Sequence, residues 1–190
     1  MALEIEAKAR VRDLHGLRTL VEAFAPYRRT VKQTDSILDY ADGRLKRRGK
    51  VMRVREEEVL HGEGAGEKRT VITLKGKRRD AGSAVKRREE TEEEALSGMH
   101  DVLEAAGELG LRPVLAYEKI REDYDARDGG IKICIDSFPR HKELGHFIEI
   151  EAKSGKEVRR VMAELGIEDR DAVRQTYPEI IGKLEKAGRQ

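Results

Sequence analysis

Glu4, Glu6 and Lys8 lie in the segment EIEAK, and Glu149 and Glu151 lie in a second EIEAK that ends at Lys153. In a strand, side chains alternate faces with a period of two, so Glu4, Glu6 and Lys8 share one face and Ile5, Ala7 and Ala9 the other. In a helix the same residues scatter over three sides. Ile148 and Ile150 favour a strand for the second copy. Carboxylates stacked in this way suit a hard divalent cation, which takes oxygen ligands.

Cations follow the same period. Arg53 and Arg55 alternate with Met52 and Val54, and Thr73, Lys75 and Lys77 with Ile72 and Leu74. Arg88, Glu90 and Glu92 share a face, as do Lys119 and Arg121, and Lys132 and Asp136. The run KRREETEEE also permits the opposite phase, with Arg87 and Glu89 facing inward. A solvated charged face accounts for any one of these strands. Repeated along the chain, like charges side by side destabilise a sheet unless a counter-ion is present. A closed barrel with a charged lumen, sheathed by helices on its apolar outer face, resolves the conflict. Clustered Lys and Arg neutralise phosphate oxygens, Arg doing so bidentately, and clustered carboxylates hold Mg²⁺ or Mn²⁺. Together they describe a site for a metal–polyphosphate complex.

The elements that must position these residues are legible in outline. The segment DLHGLRTLVEAFA spaces Leu14, Leu17, Leu20, Val21 and Phe24 on one helical face, with Asp13 as N-cap. RRTVKQTDSILDY is extended, and RLKRRGK at Arg44–Lys50 reads as a solvated turn. VMRVREEEV and RTVITLKGK, joined by the glycine-rich HGEGAGEK, form a hairpin. DAGS turns the chain into AVKRREETEEE, and a helix follows over Ala95–Leu109. VLAYEKIREDYDA, a turn at Asp128–Gly130, IKICIDSF and HFIEIEAK supply the remaining strands. Two C-terminal helices, within about residues 155–187, read from KEVRRVMAELG and DAVRQTYPEIIGKLEKA. About eight strands and four helices with short connections indicate a mainly antiparallel sheet or barrel of the α+β class, in a single domain over residues 1–190.

Bulk composition narrows the function classes. Of 190 residues, 40% are charged, yet the net charge is only +2, which argues against a protein built to coat nucleic acid. The basic runs RLKRRGK and LKGKRR sit at hairpin ends and alternate with acidic tracts, so no nucleic-acid partner is expected. One cysteine, Cys134, fits a reducing compartment, and no apolar leader or membrane span is visible, so a cytoplasmic protein without a membrane partner is expected. GEGAG lacks the Lys-Ser/Thr of a phosphate loop, and the histidines show no ligand spacing.

The ordered set of motifs resembles the CYTH superfamily, the triphosphate tunnel metalloenzymes. The matching elements are Glu4-x-Glu6-x-Lys8, MRVR with Arg53 and Arg55, TLKG with Lys75, RREETE with Arg88 and Glu90, KIREDY with Lys119 and Arg121, CIDSF with Asp136, and LGHFIEIE with Glu149 and Glu151. The resemblance implies a closed eight-stranded antiparallel β-barrel, a tunnel with helices packed outside. In it Lys8, Arg53, Arg55, Lys75, Arg88, Lys119 and Arg121 cradle a triphosphate. Glu4, Glu6, Glu149 and Glu151, with Asp136 nearby, hold Mg²⁺ or Mn²⁺. Lys8, Lys75 and Arg121 are the cations expected to serve the chemistry, and the resemblance allows a homodimer.

The tail LGIEDRDAVRQTYPEIIGKL, with Thr176 and Tyr177, and the loop PRHKELGHF resemble the subgroup that contains the class IV adenylate cyclases. That points to conversion of ATP to cyclic AMP and pyrophosphate. The alternative is a triphosphatase acting on inorganic triphosphate, thiamine triphosphate or a nucleoside triphosphate, because the tunnel motifs are common to both reactions. A nucleic-acid-binding protein and a polyphosphate-binding module without turnover are the more distant readings.

Overall fold

Inward-facing charge is affordable only where strands have no edge, and the chain closes its sheet completely. A computed structural model describes residues 2–79, 84–126 and 130–187. The strands are β1 (Ala2–Val11), β2 (Tyr27–Tyr40), β3 (Val51–Gly62), β4 (Lys68–Lys75), β5 (Val85–Ala95), β6 (Leu111–Asp125), β7 (Ile131–Ser137) and β8 (His146–Ala152). They pair in the order β1-β5-β4-β3-β2-β6-β7-β8, and β8 returns to β1. Every pairing is antiparallel. The expected fold is therefore the observed one.

The helices are α1 (Leu14–Phe24), α2 (Arg44–Arg47), α3 (Met99–Glu108), α4 (Gly155–Glu164) and α5 (Tyr177–Ala187). The core lies outside the barrel wall. Ile5, Ala7 and Ala9 of β1, Ile133 and Ile135 of β7, and Ile148 and Ile150 of β8 pack beneath Leu17 and Val21 of α1 and Val158, Val161 and Met162 of α4. Burying each large aliphatic side chain contributes about 2 kcal/mol. This layer offsets the cost of filling the lumen with charge. A second cluster seats α3 on Leu38, Val54 and Leu111. A third gathers Phe138, Phe147, Tyr117 and Tyr177 at one end of the barrel.

Several boundaries follow local chemistry. Asp13 caps α1, its side chain accepting from the Gly16 amide at 3.0 Å, as expected; Leu20, placed on the apolar face by the sequence, is exposed. Arg44–Arg47 forms one helical turn where a turn was expected. The helix expected from Ala95 begins only at Met99, because β5 continues to Ala95, which pairs with Thr70. The last helix begins at Tyr177 rather than Asp171. Thr176 Oγ1 accepts from the Glu179 amide at 3.3 Å, and Glu179 Oε2 accepts from the Thr176 amide at 2.6 Å, a reciprocal cap that fixes the start there. Upstream, Ala172 bridges to Ala9, and the Val173 amide donates to the Lys8 carbonyl at 2.6 Å, lacing the segment along β1. At the turn after β3, Gly62 has φ 88°, and a Cβ there would stand 2.3 Å from the Arg28 carbonyl oxygen. Only glycine fits. Of the expected turns, residues 80–83 and 128–129 lie outside the described residues.

Candidate active site in the barrel lumen

The inward positions of all eight strands converge on one cavity of about 540 Å³. Register decides which side chains meet. Glu6 lies opposite Lys86 on β5 and Glu151 on β8, while Lys8 lies opposite Glu149. Asp35 lies between Arg55 and Tyr117, and Gln33 between Glu57 and Lys119. On β5 the phase is settled: Arg88, Glu90 and Glu92 line the cavity, whereas Glu89 pairs outside with Arg79.

The lumen is divided by charge. Strands β1, β5 and β8 contribute Glu4, Glu6, Glu90, Glu92, Glu149 and Glu151 together with Lys8 and Arg88, and across the barrel β3, β2 and β6 contribute Arg53, Arg55, Lys119 and Arg121 together with Arg29, Glu57 and Asp123. Two buried carboxylates organise the basic wall. Arg55 clasps Asp35 at 2.6 and 3.0 Å, and Arg53 Nε approaches Asp35 at 3.7 Å. Asp136 is fully buried and accepts four hydrogen bonds: from Arg121 at 2.7 and 2.6 Å, Lys119 at 3.0 Å and the Tyr177 hydroxyl at 2.7 Å. Burial alone would raise both carboxyls, but the guanidinium and ammonium neighbours hold them below the usual range. Asp136 is not on the open cavity surface, and its partners Lys119, Arg121 and Tyr177 all line it.

The acidic wall is held by cations of its own. Glu4 accepts from Lys75 at 2.6 Å and Arg88 at 2.8 Å; these cations outweigh burial and bring its carboxyl down to about 2. Lys75 also reaches Glu90 at 2.9 Å. Burial, opposed by Lys75 and reinforced by Glu4, pushes Glu90 up to about 8. Arg121 bonds Glu149, and Lys8 lies 3.9 Å from it. Burial, followed by the repulsion of Lys86, brings Lys8 down to about 7; burial and Arg121 bring Lys119 down to about 8. Arg53 Nε and Lys86 Nζ are buried without a hydrogen-bond acceptor. Each has only a looser ion pair, Lys86 with Glu6 at 3.5 Å and Arg53 Nε with Asp35 at 3.7 Å.

The donor set suits a hard divalent ion. Burial pushes the Glu151 carboxyl up, and the nearby Glu4 and Glu6 add to the effect, a like-charge accumulation that a dication relieves. Among the described residues no three Asp, Glu, His or Cys side chains are already arranged around a common point, because the carboxylates turn to neighbouring cations.

All the expected phosphate-binding residues line the cavity. The expected metal ligands Glu4, Glu6, Glu149 and Glu151 do so as well, and Asp136 does not. Other residues complete the site: Asp35 bonded to Arg55, Glu57 and Gln33 bonded to each other on the lining, Glu90 joined to Glu4 through Lys75, Lys86 beside Glu6, and Tyr177, whose ring lies 3.8 Å below Lys8 Nζ. Tyr177 was visible in the tail motif, but its reach into the lumen was not.

Residues 2–177 match the CYTH domain. The chain belongs to the CYTH domain family. Solved structures agree on the fold. The PH1819 protein of Pyrococcus horikoshii shares 24% identity at a TM-score of 0.76, with 96% of this chain and 99% of that one covered. A protein of Vibrio parahaemolyticus proposed to be an adenylate cyclase shares 18% at 0.73, with 95% and 98% covered. A proposed adenylyl cyclase from Hippeastrum, described as having a dominant triphosphatase activity, shares 19% at 0.67, with 95% of each chain covered. No curated protein matches the chain. Solved structures of this fold therefore include proteins described as proposed cyclases, one of them with a dominant triphosphatase activity. Among the described residues no helix of this CYTH chain is long and apolar enough to cross a membrane.

Proposed function

We propose that this CYTH protein is a divalent-metal-dependent enzyme that binds a triphosphate in its lumen and cleaves it with water, releasing orthophosphate. The observation that carries this reading is the division of the lumen into an acidic and a basic wall. Arg53, Arg55, Lys119 and Arg121 face the phosphate chain from one side, and Lys8, Lys75 and Arg88 close over it from the other. Glu4, Glu6, Glu149 and Glu151 would hold Mg²⁺ or Mn²⁺, which would supply neutralisation of phosphate charge and a lowered pKa for the attacking water. Asp136 and Asp35 position the cations. Catalysis here is chiefly positioning and charge neutralisation, with Lys8, Lys75 and Arg121 nearest the groups that gain charge.

Hydrolysis is favoured by the placement of the aromatic side chains. Among the described lining residues only Tyr117 and Tyr177 are aromatic, and both belong to the apolar cluster at one end. The rest of the described lining carries no aromatic ring, leaving only guanidinium planes and the aliphatic Leu3, Ile37, Val51 and Val71 beside a base. A class IV cyclase reaction, in which the ribose 3′-hydroxyl attacks the α-phosphorus of ATP, is the second reading. It is supported by Thr176, Tyr177 and Pro178, the tail segment resembling the cyclase subgroup, which line the same cavity.

The test is product analysis with Mg²⁺ or Mn²⁺, offering inorganic triphosphate and ATP side by side. Orthophosphate from triphosphate without cyclic AMP supports hydrolysis. Cyclic AMP with pyrophosphate supports the second reading. Neither product, with triphosphate still bound, contradicts both.

A further inference from the structure

Charge on the outer surface is sorted along the barrel axis. Antiparallel pairing brings the end of β2, the start of β3, the end of β4 and the start of β6 to one end of the barrel. Exposed there are Lys46, Arg48 and Lys50, between β2 and β3, and Lys77, just past β4. None of the four has an ion pair among the described residues. The two segments touch, because a Cβ on Gly49 would stand 3.2 Å from Lys77 Cγ. Arg112 at the start of β6, and Arg140 and Lys142 between β7 and β8, carry exposed charge around the same end. The far ends of β3, β4 and β5 instead expose Glu56, Glu67, Glu93 and Glu94, and the cations there, Lys68 and Arg69, are held by Glu58 and Glu57. The basic connection is ordered from within. Asp39, 4% exposed, accepts from the amides of Tyr40, Leu45 and Lys46 at 2.8, 2.9 and 3.1 Å, and the Lys50 amide donates to the Leu45 carbonyl at 2.9 Å. A buried carboxylate thus holds like charges close together, a repulsion that an anionic partner relieves. Leu109, at the end of α3, stands at the rim of this surface and is 73% exposed. A Cβ on the next residue, Gly110, would lie 3.8 Å from the Tyr40 ring, over which the Arg44 guanidinium sits at 3.3 Å.

We propose that this end of the barrel docks on an anionic lipid surface, with Lys46, Arg48, Lys50 and Lys77 against the headgroups and Leu109 entering the interface. A bilayer is favoured over a nucleic acid on two grounds. The cations are spread across the end of the barrel, on three connections, so that a plane meets all of them at once. The side chain exposed beside them is an aliphatic leucine, and the Tyr40 ring is occupied by Arg44 rather than free to stack on a base. The sorted charge also sets the orientation: an anionic plane attracts the basic end and repels the glutamates at the other, which stay in solvent. Attachment by charge and one shallow apolar contact needs no spanning segment. It does not depend on what the lumen binds.

The experiment is co-sedimentation of the whole chain with vesicles at about 0.15 M ionic strength. Vesicles of equal parts phosphatidylglycerol and phosphatidylcholine are expected to bind it about tenfold or more tighter than phosphatidylcholine alone, and equal binding overturns the proposal. Arg48→Glu/Lys77→Glu, checked for a cooperative thermal transition, is expected to lose about tenfold or more. Lys153→Glu/Lys156→Glu changes the net charge by the same amount at the other end of the barrel and is expected to lose less than about threefold. Equal losses in the two variants trace binding to net charge and overturn the docking site. The chain contains no tryptophan, so Leu109→Trp supplies a single reporter. Its emission is expected to shift to the blue on the anionic vesicles, and unchanged emission while the protein sediments overturns docking through this end. Duplex DNA that displaces the protein from the vesicles at equal phosphate concentration makes the partner a nucleic acid and overturns the proposal as well.

Discussion

Arg55 grips Asp35 through two hydrogen bonds, Nε to Oδ1 at 2.6 Å and Nη2 to Oδ2 at 3.0 Å, with both side chains buried in the barrel wall. The pair fixes the plane of a guanidinium that lines the lumen, and Arg53 stands 3.7 Å from the same carboxylate. A carboxylate used in this way trades stability for placement. It holds the cations apart from one another when no polyanion is bound.

Removing that carboxylate leaves Arg53 and Arg55 buried without their partner. Asp35→Ala is expected to lower stability by roughly 3 to 5 kcal/mol, measured by urea unfolding. Added triphosphate should raise the melting temperature of the variant more than that of the wild type, because the anion replaces the lost charge. An equal shift in both would separate Asp35 from the phosphate-binding wall.

Binding should draw protons from solution. Burial and like-charge neighbours hold Lys8 at about 7 and Lys119 at about 8 in the free protein, so at pH 8 both are partly neutral. A bound polyanion favours their charged forms. Affinity is therefore greatest on the acid side and falls as pH rises through 7 to 8. Calorimetry in buffers of different ionisation enthalpy reads the uptake directly. Lys8→Arg, charged throughout this range, is expected to take up fewer protons than the wild type, and equal uptake would place the titration elsewhere.

The acidic wall is expected to matter for turnover more than for anion binding. Glu6→Gln and Glu151→Gln should each cost on the order of a hundredfold in Mn²⁺ affinity or activity. Triphosphate binding measured without metal should hold or tighten, since each change removes a negative charge from the lumen. Electron paramagnetic resonance of free Mn²⁺ checks the first point. Unchanged Mn²⁺ affinity in both variants would remove these carboxylates from the metal site.

Cys134 faces the lumen and donates to Asp123 Oδ1 at 3.3 Å. Burial pushes its thiol up, far from the reactive thiolate range. A colourimetric thiol reagent at pH 8 should label the native protein many times more slowly than the unfolded one, and more slowly still with triphosphate bound. Labelling at the unfolded rate would contradict a closed, filled barrel.

The barrel was legible because like charges repeated with a strand period, and that pattern has few structural solutions. Glu4, Glu6, Arg53, Arg55, Lys119 and Arg121 all stood out as such pairs, and each lines the cavity. Asp35 did not stand out. Its neighbours Thr34 and Ser36 are polar, so the alternation that marks an inward position is absent from that part of β2. The phase of β5 was open because Arg87 and Arg88, and Glu89 and Glu90, are the same residue types on opposite faces; only pairing with Glu4 decides it. Asp136 was grouped with the metal ligands by the family resemblance, through the motif CIDSF. Its four donor atoms come from two other segments of the chain, β6 and α5, and no local pattern reports them. The late start of α5 was written in Thr176-x-x-Glu179, but amphipathic spacing upstream masked it.

The most direct measurement is a crystal structure with triphosphate and Mn²⁺, the ion located by its anomalous scattering. The account predicts the phosphate chain along Arg53, Arg55, Lys119 and Arg121, with Mn²⁺ between it and Glu4, Glu6 and Glu151. Triphosphate bound outside the barrel, or Mn²⁺ away from the acidic wall, would contradict it.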